Sequence, residues 1–238
     1  MKLAHPALSK PICFKENQIQ LLIIESPRMF RQFAFELIAQ SEGQEGEFIL
    51  SLNNDILDCA EHLHIIYDYY HLEPEGKKLY NRFQAEIQSI TKNELLHETL
   101  ALEESINNYL RHLRLLCGSA AFEEGQYIPA LLKGVKFAPA LEDESPLGRL
   151  ISHISIYNSL MPDQCFILMG AKAIFETEEL TQLYTWADYV HCRILLLEPA
   201  CSQPLEKENP FILDRDMCEI CRFVKHFVQR EIQRKQQV

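Results

Sequence analysis

Glycine is scarce, at 8 of 238 residues. Neither G-x-x-x-x-G-K-[ST] nor G-x-G-x-x-G follows any predicted strand, so the backbone cradle that parallel α/β proteins use for nucleotide phosphates has no sequence counterpart here. Positive charge is also short. Lys and Arg total 23 against 34 Asp and Glu, a formal net charge of −11, which counts against a nonspecific coat on nucleic acid because phosphate neutralisation needs a concentration of cations. A local basic groove is still compatible with that total. No apolar run approaches the roughly 20 residues of a membrane span, and the N-terminus carries Lys2 and Lys10 without a hydrophobic signal core. A soluble, unsecreted chain is the expectation. The 8 cysteines are scattered, several inside apolar runs, in a chain too large to need disulfide staples, which fits reduced thiols in a cytoplasm. H-E-x-x-H, a nucleophile elbow and internal repeats are all missing.

What is present begins with the stretch from Cys165 to Pro199. Cys165–Met169 and Cys192–Leu197 are apolar runs without polar alternation, joined by a turn at Gly170 and an amphipathic helix over Thr177 to Ala187. That is the pattern of a βαβ unit whose strands are covered on both faces. Gln20–Glu25 is a third such run, so a central three-stranded parallel core is expected. Ser26 and Pro27 open a helix after it, and Phe30, Phe33, Ala34, Leu37 and Ile38 line one face of that helix. Two prolines among residues 4–15 point to an edge hairpin, and Phe48–Leu52 and His62–Asp68 read as further strands.

From Pro74 the period changes. Leu79, Phe83, Ile87 and Ile90, then Leu95 to Leu116, recur at three- and four-residue steps on either side of a polar joint at residues 91–93. They predict a helical hairpin, read as a lobe inserted between the parts of an α/β domain. Ser145-Pro146 opens another helix, and Met217, Ile220, Cys221, Val224, Phe227, Val228 and Ile232 predict a last one.

Few residues carry an obvious chemistry. Cys218-x-x-Cys221 has no second pair, and a helical setting makes both small core residues. His62 and His64 would share a strand face and could pair on a metal, but no third ligand is evident. The clusters Glu123-Glu124 and Glu142-Asp143-Glu144 are the best oxygen ligands for a hard cation, with a solvated acidic turn as the plainer reading. Arg111, Arg114, Lys133, Lys136 and Arg149 make a positive patch possible, with scattered surface charge as its alternative.

In order and spacing, several segments together resemble the CRISPR-associated adaptation protein of type II-A systems, the Csn-two family. They are Leu21-Leu22-Ile23-Ile24-Glu25 with Phe30, Leu131-Leu132-Lys133-Gly134-Val135-Lys136-Phe137, Phe166 to Glu179, Leu195 to Pro199, and Ile212 to Asp216. The resemblance covers the chain to about residue 220. It implies an α/β, parallel-sheet head with a degenerate P-loop-ATPase-like fold (1–72 and 161–238) and an inserted α-helical leg (73–160).

It also implies a noncatalytic homotetrameric ring, stabilised by Ca2+, that threads double-stranded DNA ends through a basic hole. Such a ring acts in spacer acquisition beside the integrase subunits and the RNA-guided nuclease, in the cytoplasm and away from membranes. Lys133 and Lys136 match basic positions of the family, and Glu123 and Glu124 match the end of an acidic, calcium-binding run. Cys117–Ala121 stands where relatives carry further acids, and a basic tail from Arg222 extends past shorter relatives. A degenerate nucleotide-binding enzyme and a protein-interaction scaffold are the competing readings.

Overall fold

Runs without polar alternation form a sheet buried on both faces. The computed structural model describes residues 1–118, 121, 125–141, 143–200 and 203–220. The chain divides into two units: Met1–Leu72 with Asp143–Ile154 and Pro162–Val238, and Glu73–Glu142 with Ser155–Met161.

In the first unit, β6 (Leu63–Ile66), β7 (Cys165–Met169), β8 (Arg193–Glu198), β3 (Ile19–Ile24) and β9 (Glu208–Leu213) lie side by side in that order, every pair parallel. The expected three-strand core is therefore the middle of five, with β6 and β9 added at the edges. All six residues of β3 are buried. Leu22 and Ile24 join Ile167, Leu195, Leu197, Phe211 and Leu213 in one cluster, completed by Phe33 and Leu37 of α1 (Pro27–Ser41). Burying a side chain such as Phe33 or Leu37 contributes about 1.5–3 kcal/mol. Alternation sends Leu21 and Ile23 to the opposite face, where they are equally buried. Helix α7 (Thr177–Tyr189) connects β7 to β8 and buries Leu180, Leu183, Tyr184 and Ala187. Its start is fixed by a reciprocal bond pair between Glu176 and Glu179. Gly170, at φ 68°, turns the chain out of β7 in the left-handed region that glycine enters without strain.

A small antiparallel sheet, β2 (Ile12–Cys13), β1 (Lys2–Ala4), β4 (Ile49–Leu52) and β5 (Asp55–Leu57), covers part of the same cluster through Leu3, Ile12 and Leu50. The proline-flanked hairpin is there, with β2 at the edge and β1 paired on both sides. Gln40 substitutes for a strand partner: its Nε2 donates to Phe48 O and its Oε1 accepts Phe48 N–H, both at 3.0 Å and buried. Replacing Gln40 by Leu strands both backbone groups, so urea unfolding should show stability lowered by about 2–4 kcal/mol at unchanged m. A midpoint equal to that of the parent chain would refute this role.

Two expectations need correction. His62 ends the short helix α2 (Cys59–His62) while His64 lies in β6, so strand alternation does not place them on one face. The last amphipathic stripe does not begin as a helix at Met217. Asp214 Oδ1 accepts the N–H groups of Asp216 and Cys218, Met217 takes φ 64°, and Ile220 N–H donates to Ile212 O. The chain thus turns back along the end of β9, because the Asp214 side chain supplies the turn. Cys218 is outside any helix, and Cys221 to Val238 lie outside the described residues.

The second unit is helical: α3 (Lys77–Lys92), α4 (Leu96–Cys117) and α5 (Ile128–Gly134). Phe83 stacks on Phe137 with ring centres 5.8 Å apart, Gln84 Nε2 donates to Phe137 O, and Tyr127 OH donates to Asn107 Oδ1. Helix α4 buries none of its 22 residues. Helix α6 (Pro146–Leu160) carries the chain back; Ser145 Oγ accepts Gly148 N–H at its start.

Candidate functional site

Arg111 and Arg114 sit three residues apart in the last turns of α4, hence on one side of it, and both are exposed. Arg111 Nη1 donates to Asn108 Oδ1 at 2.9 Å. Lys133 lies in the last turn of α5, and Lys136 follows at φ 54°. Phe137 N–H donates to Leu132 O and Lys136 N–H to Lys133 O. These two bonds form a Schellman closure, in which the left-handed position is usually glycine. Lysine there is strained by about 1 kcal/mol, and both lysine side chains are exposed. Arg149 differs from the other four. It is half-buried in the parallel-sheet unit, and its Nη2 donates to Leu72 O at 2.9 Å.

Of the acidic candidates, Glu123, Glu124 and Glu142 lie outside the described residues. Asp143 accepts the N–H and Oγ of Ser145, hydrogen bonds that hold its carboxyl below the usual range.

At the C-terminal edge of the parallel sheet, Glu25 and Ser26 alone separate β3 from α1. Ser26 makes no cap bond, and Pro27 at the helix start has no N–H. A loop this short cannot wrap a phosphate. Instead, the interior holds a polar network that the sequence reading missed. Lys172 donates Nζ to Glu208 Oε2 at 2.7 Å and its backbone N–H to Glu198 Oε1 at 3.0 Å. Tyr184 OH donates to Glu208 Oε1 at 2.6 Å, and Leu205 N–H to Glu208 Oε2 at 2.8 Å. Burial pushes the Glu198 carboxyl up, opposed by the Lys172 backbone bond and charge. Tyr184 is raised by burial and by Glu208. Glu198 closing the apolar run Ile194–Leu197 was the available signal: a carboxylate ending a buried strand needs partners.

Two histidine sites stand apart from the candidates. His5 is wedged between Phe33 and Phe48, ring centres 4.4 and 4.5 Å away, with Nε2 at 3.4 Å from Glu36 Oε2 and 3.7 Å from Glu47 Oε2. These three residues have the spacing of a cation site. However, Ala7 N–H donates to Nδ1 at 3.1 Å, so the neutral ring keeps its hydrogen on Nε2, where a metal would need the lone pair. His5 Nε2 thus faces the Glu36 and Glu47 carboxylates without a hydrogen bond to either.

His64 is bonded to His153, not to His62, with Nε2 to Nε2 at 2.9 Å. Burial, with the charge of His153 adding, lowers His64 to about 3, and burial lowers His153 to about 4. Unfolded histidines take a proton near pH 6.5, so the folded state binds fewer protons below that pH. The stability of the neutral pair is complete above about pH 6.5 and is lost as pH falls toward 4. We expect unfolding free energy to drop by about 2–4 kcal/mol between pH 7 and pH 5, and the double variant His64→Gln/His153→Gln to flatten that dependence. A slope unaltered by the double change would contradict this assignment.

Together, these residues define a mixed α/β protein: a parallel-sheet unit interrupted in sequence by a helical unit whose longest helix buries none of its residues. The profile of the family described as CRISPR-associated protein (Cas_Csn2) matches residues 40–217, about three-quarters of the chain, and the chain belongs to this type II-A CRISPR-associated family. No curated protein matches it. No helix among the described residues is long and apolar enough to cross a membrane.

Proposed function

We propose that this CRISPR-associated chain is a noncatalytic clamp on double-stranded DNA ends, acting in spacer acquisition with integrase subunits and the RNA-guided nuclease in the cytoplasm. The observation that carries this reading is the turn closing α5, where Lys136 keeps a charged side chain at a position whose backbone favours glycine, next to exposed Lys133. Strain retained at one position is a reason to look for a role for its side chain. An acidic protein can hold DNA when its cations line a closed hole, because the field is concentrated there and each phosphate contact releases a counterion. Such contacts read backbone, not bases.

Helix α4 supports closure into a homotetrameric ring. It leaves Leu100, Tyr109, Leu113, Leu115 and Leu116 exposed along a helix without a buried residue, an apolar surface of the kind that marks an interface. In this reading the parallel sheet is a degenerate P-loop-ATPase-like head, its phosphate loop reduced to Glu25-Ser26, and the helical unit is the leg. Calcium would neutralise carboxylates such as Glu123 and Glu124 and steady the legs. Arg111, Arg114 and Arg149 are further candidates for the positive surface.

Light scattering of the purified chain tests the assembly: a tetramer mass with calcium, diminished by chelation, is expected. A monomer mass in every ionic condition would remove the ring.

A further inference from the structure

A cleft of about 310 Å³ lies between the edge strand β2 and the β3–β9 pair, lined by Ile12, Cys13, Gln20, Asn209 and Phe211, with Lys10 and Lys15 as its charged residues. Ligand pockets run from about 300 to 1,000 Å³, so this one suits a small molecule. Side chains alternate along β3, which puts Gln20 on the same face as Leu22 and Ile24. Those two pack in one cluster with Ile12 and Phe211, so the Gln20 side chain is on the β2 side of the sheet, beside its register partner Asn209. Gln20 is 2 % exposed. Its Oε1 accepts Asn209 Nδ2–H at 2.8 Å, while its Nε2 has no acceptor among the described residues. A buried amide donor without a partner is costly, and this wall of the cleft therefore lacks one acceptor.

The other lining groups say what kind of acceptor fits. Ile12 is 4 % exposed and Phe211 9 %, an apolar floor. No Asp or Glu lines the cleft. Lys10 Nζ stands 5.6 Å from the centre of the Phe211 ring and 3.2 Å from Glu219 Oε1, so the Lys10 and Glu219 charges answer each other. Lys15 is exposed and makes no ion pair among the described residues. One buried donor and one unanswered cation thus border an apolar floor.

We propose that this cleft binds a small carboxylic acid with an apolar body, its carboxylate accepting from Gln20 Nε2 and facing Lys15, its body against Ile12 and Phe211. Charge-assisted bonds of this kind are roughly twice as strong as neutral ones, which sets the acid apart from an uncharged molecule of the same shape. A cation of that shape would meet Lys10 and Lys15 instead. The site uses none of the residues of the DNA-clamp reading.

The probes are para-trifluoromethyl benzoate and its neutral counterpart, para-trifluoromethyl benzyl alcohol, each titrated against the full chain by fluorine NMR. Cys13 lines the same cleft and is half-exposed, so its alkylation by iodoacetamide, read by mass spectrometry, reports occupancy. Cys117, exposed at the end of α4, is the control, and fully buried Cys165 reports unfolding. The benzoate should bind saturably with a Kd of about 1 mM or tighter and about tenfold more tightly than the alcohol. It should slow Cys13 alkylation in proportion to occupancy and leave Cys117 unchanged. Gln20→Leu should weaken the benzoate by at least about tenfold, and Lys15→Gln by about two- to fivefold. Equal affinity for acid and alcohol, Cys13 unprotected at saturation, or no saturable binding would each overturn the proposal. So would benzoate affinity unaltered in Gln20→Leu or, should that variant expose Cys165 to alkylation, unaltered in Lys15→Gln.

Discussion

A chain carrying Lys133→Glu and Lys136→Glu is expected to lose at least about 30-fold in affinity for linear duplex near physiological salt. The figure follows from counterion release: each phosphate contact contributes about 0.9 to the slope of log affinity against log salt, so two lost contacts cost about 30-fold at 0.15 M. Charge reversal, and participation of several subunits, enlarge the loss. The salt slope should fall by about 2 or more, and the assembled mass should not change. Lys136→Gly separates function from fold. It removes the charge while placing glycine at φ 54°, so stability should rise by about 1 kcal/mol as duplex affinity falls. Affinity unchanged in both variants would take these lysines out of the DNA surface.

Lys172→Met should destabilise the parallel-sheet unit by about 3–5 kcal/mol, because it removes the cation from a carboxylate that has no water to turn to. The Glu208 side chain is wholly buried and that of Lys172 is 10 % exposed. Without Nζ, Glu208 keeps, among the described residues, the Tyr184 hydroxyl and the Leu205 amide as donors to its charge. Adding Glu208→Gln removes that charge, so Lys172→Met/Glu208→Gln should recover part of the loss. Strict additivity in urea unfolding would mean that the two side chains do not couple.

The parallel sheet was legible in the sequence to the extent that burial writes itself as composition. Leu21–Ile24, Cys165–Met169 and Ile194–Leu197 are apolar throughout, and such runs have few other destinations in a chain of this size. The interior polar groups were not legible, because their partners are far apart in sequence: Lys172 meets Glu208 and His64 meets His153. No local periodicity reports such a pairing. The stripe beginning at Met217 misled because apolar spacing fits a helix whether or not a side chain intervenes, and Asp214 captures the amides first. Lys133 and Lys136 drew attention first as part of a basic patch and then through family resemblance, whereas the left-handed backbone at Lys136 became visible only once the closure of α5 was in view.

Encirclement is tested most directly by offering the chain two forms of the same duplex, linear and covalently closed, at equal concentration with calcium present. A clamp threaded by free ends retains the linear form and releases the closed circle, and blocking both ends of the linear form abolishes retention. Equal retention of circle and line would contradict encirclement, as would binding indifferent to blocked ends.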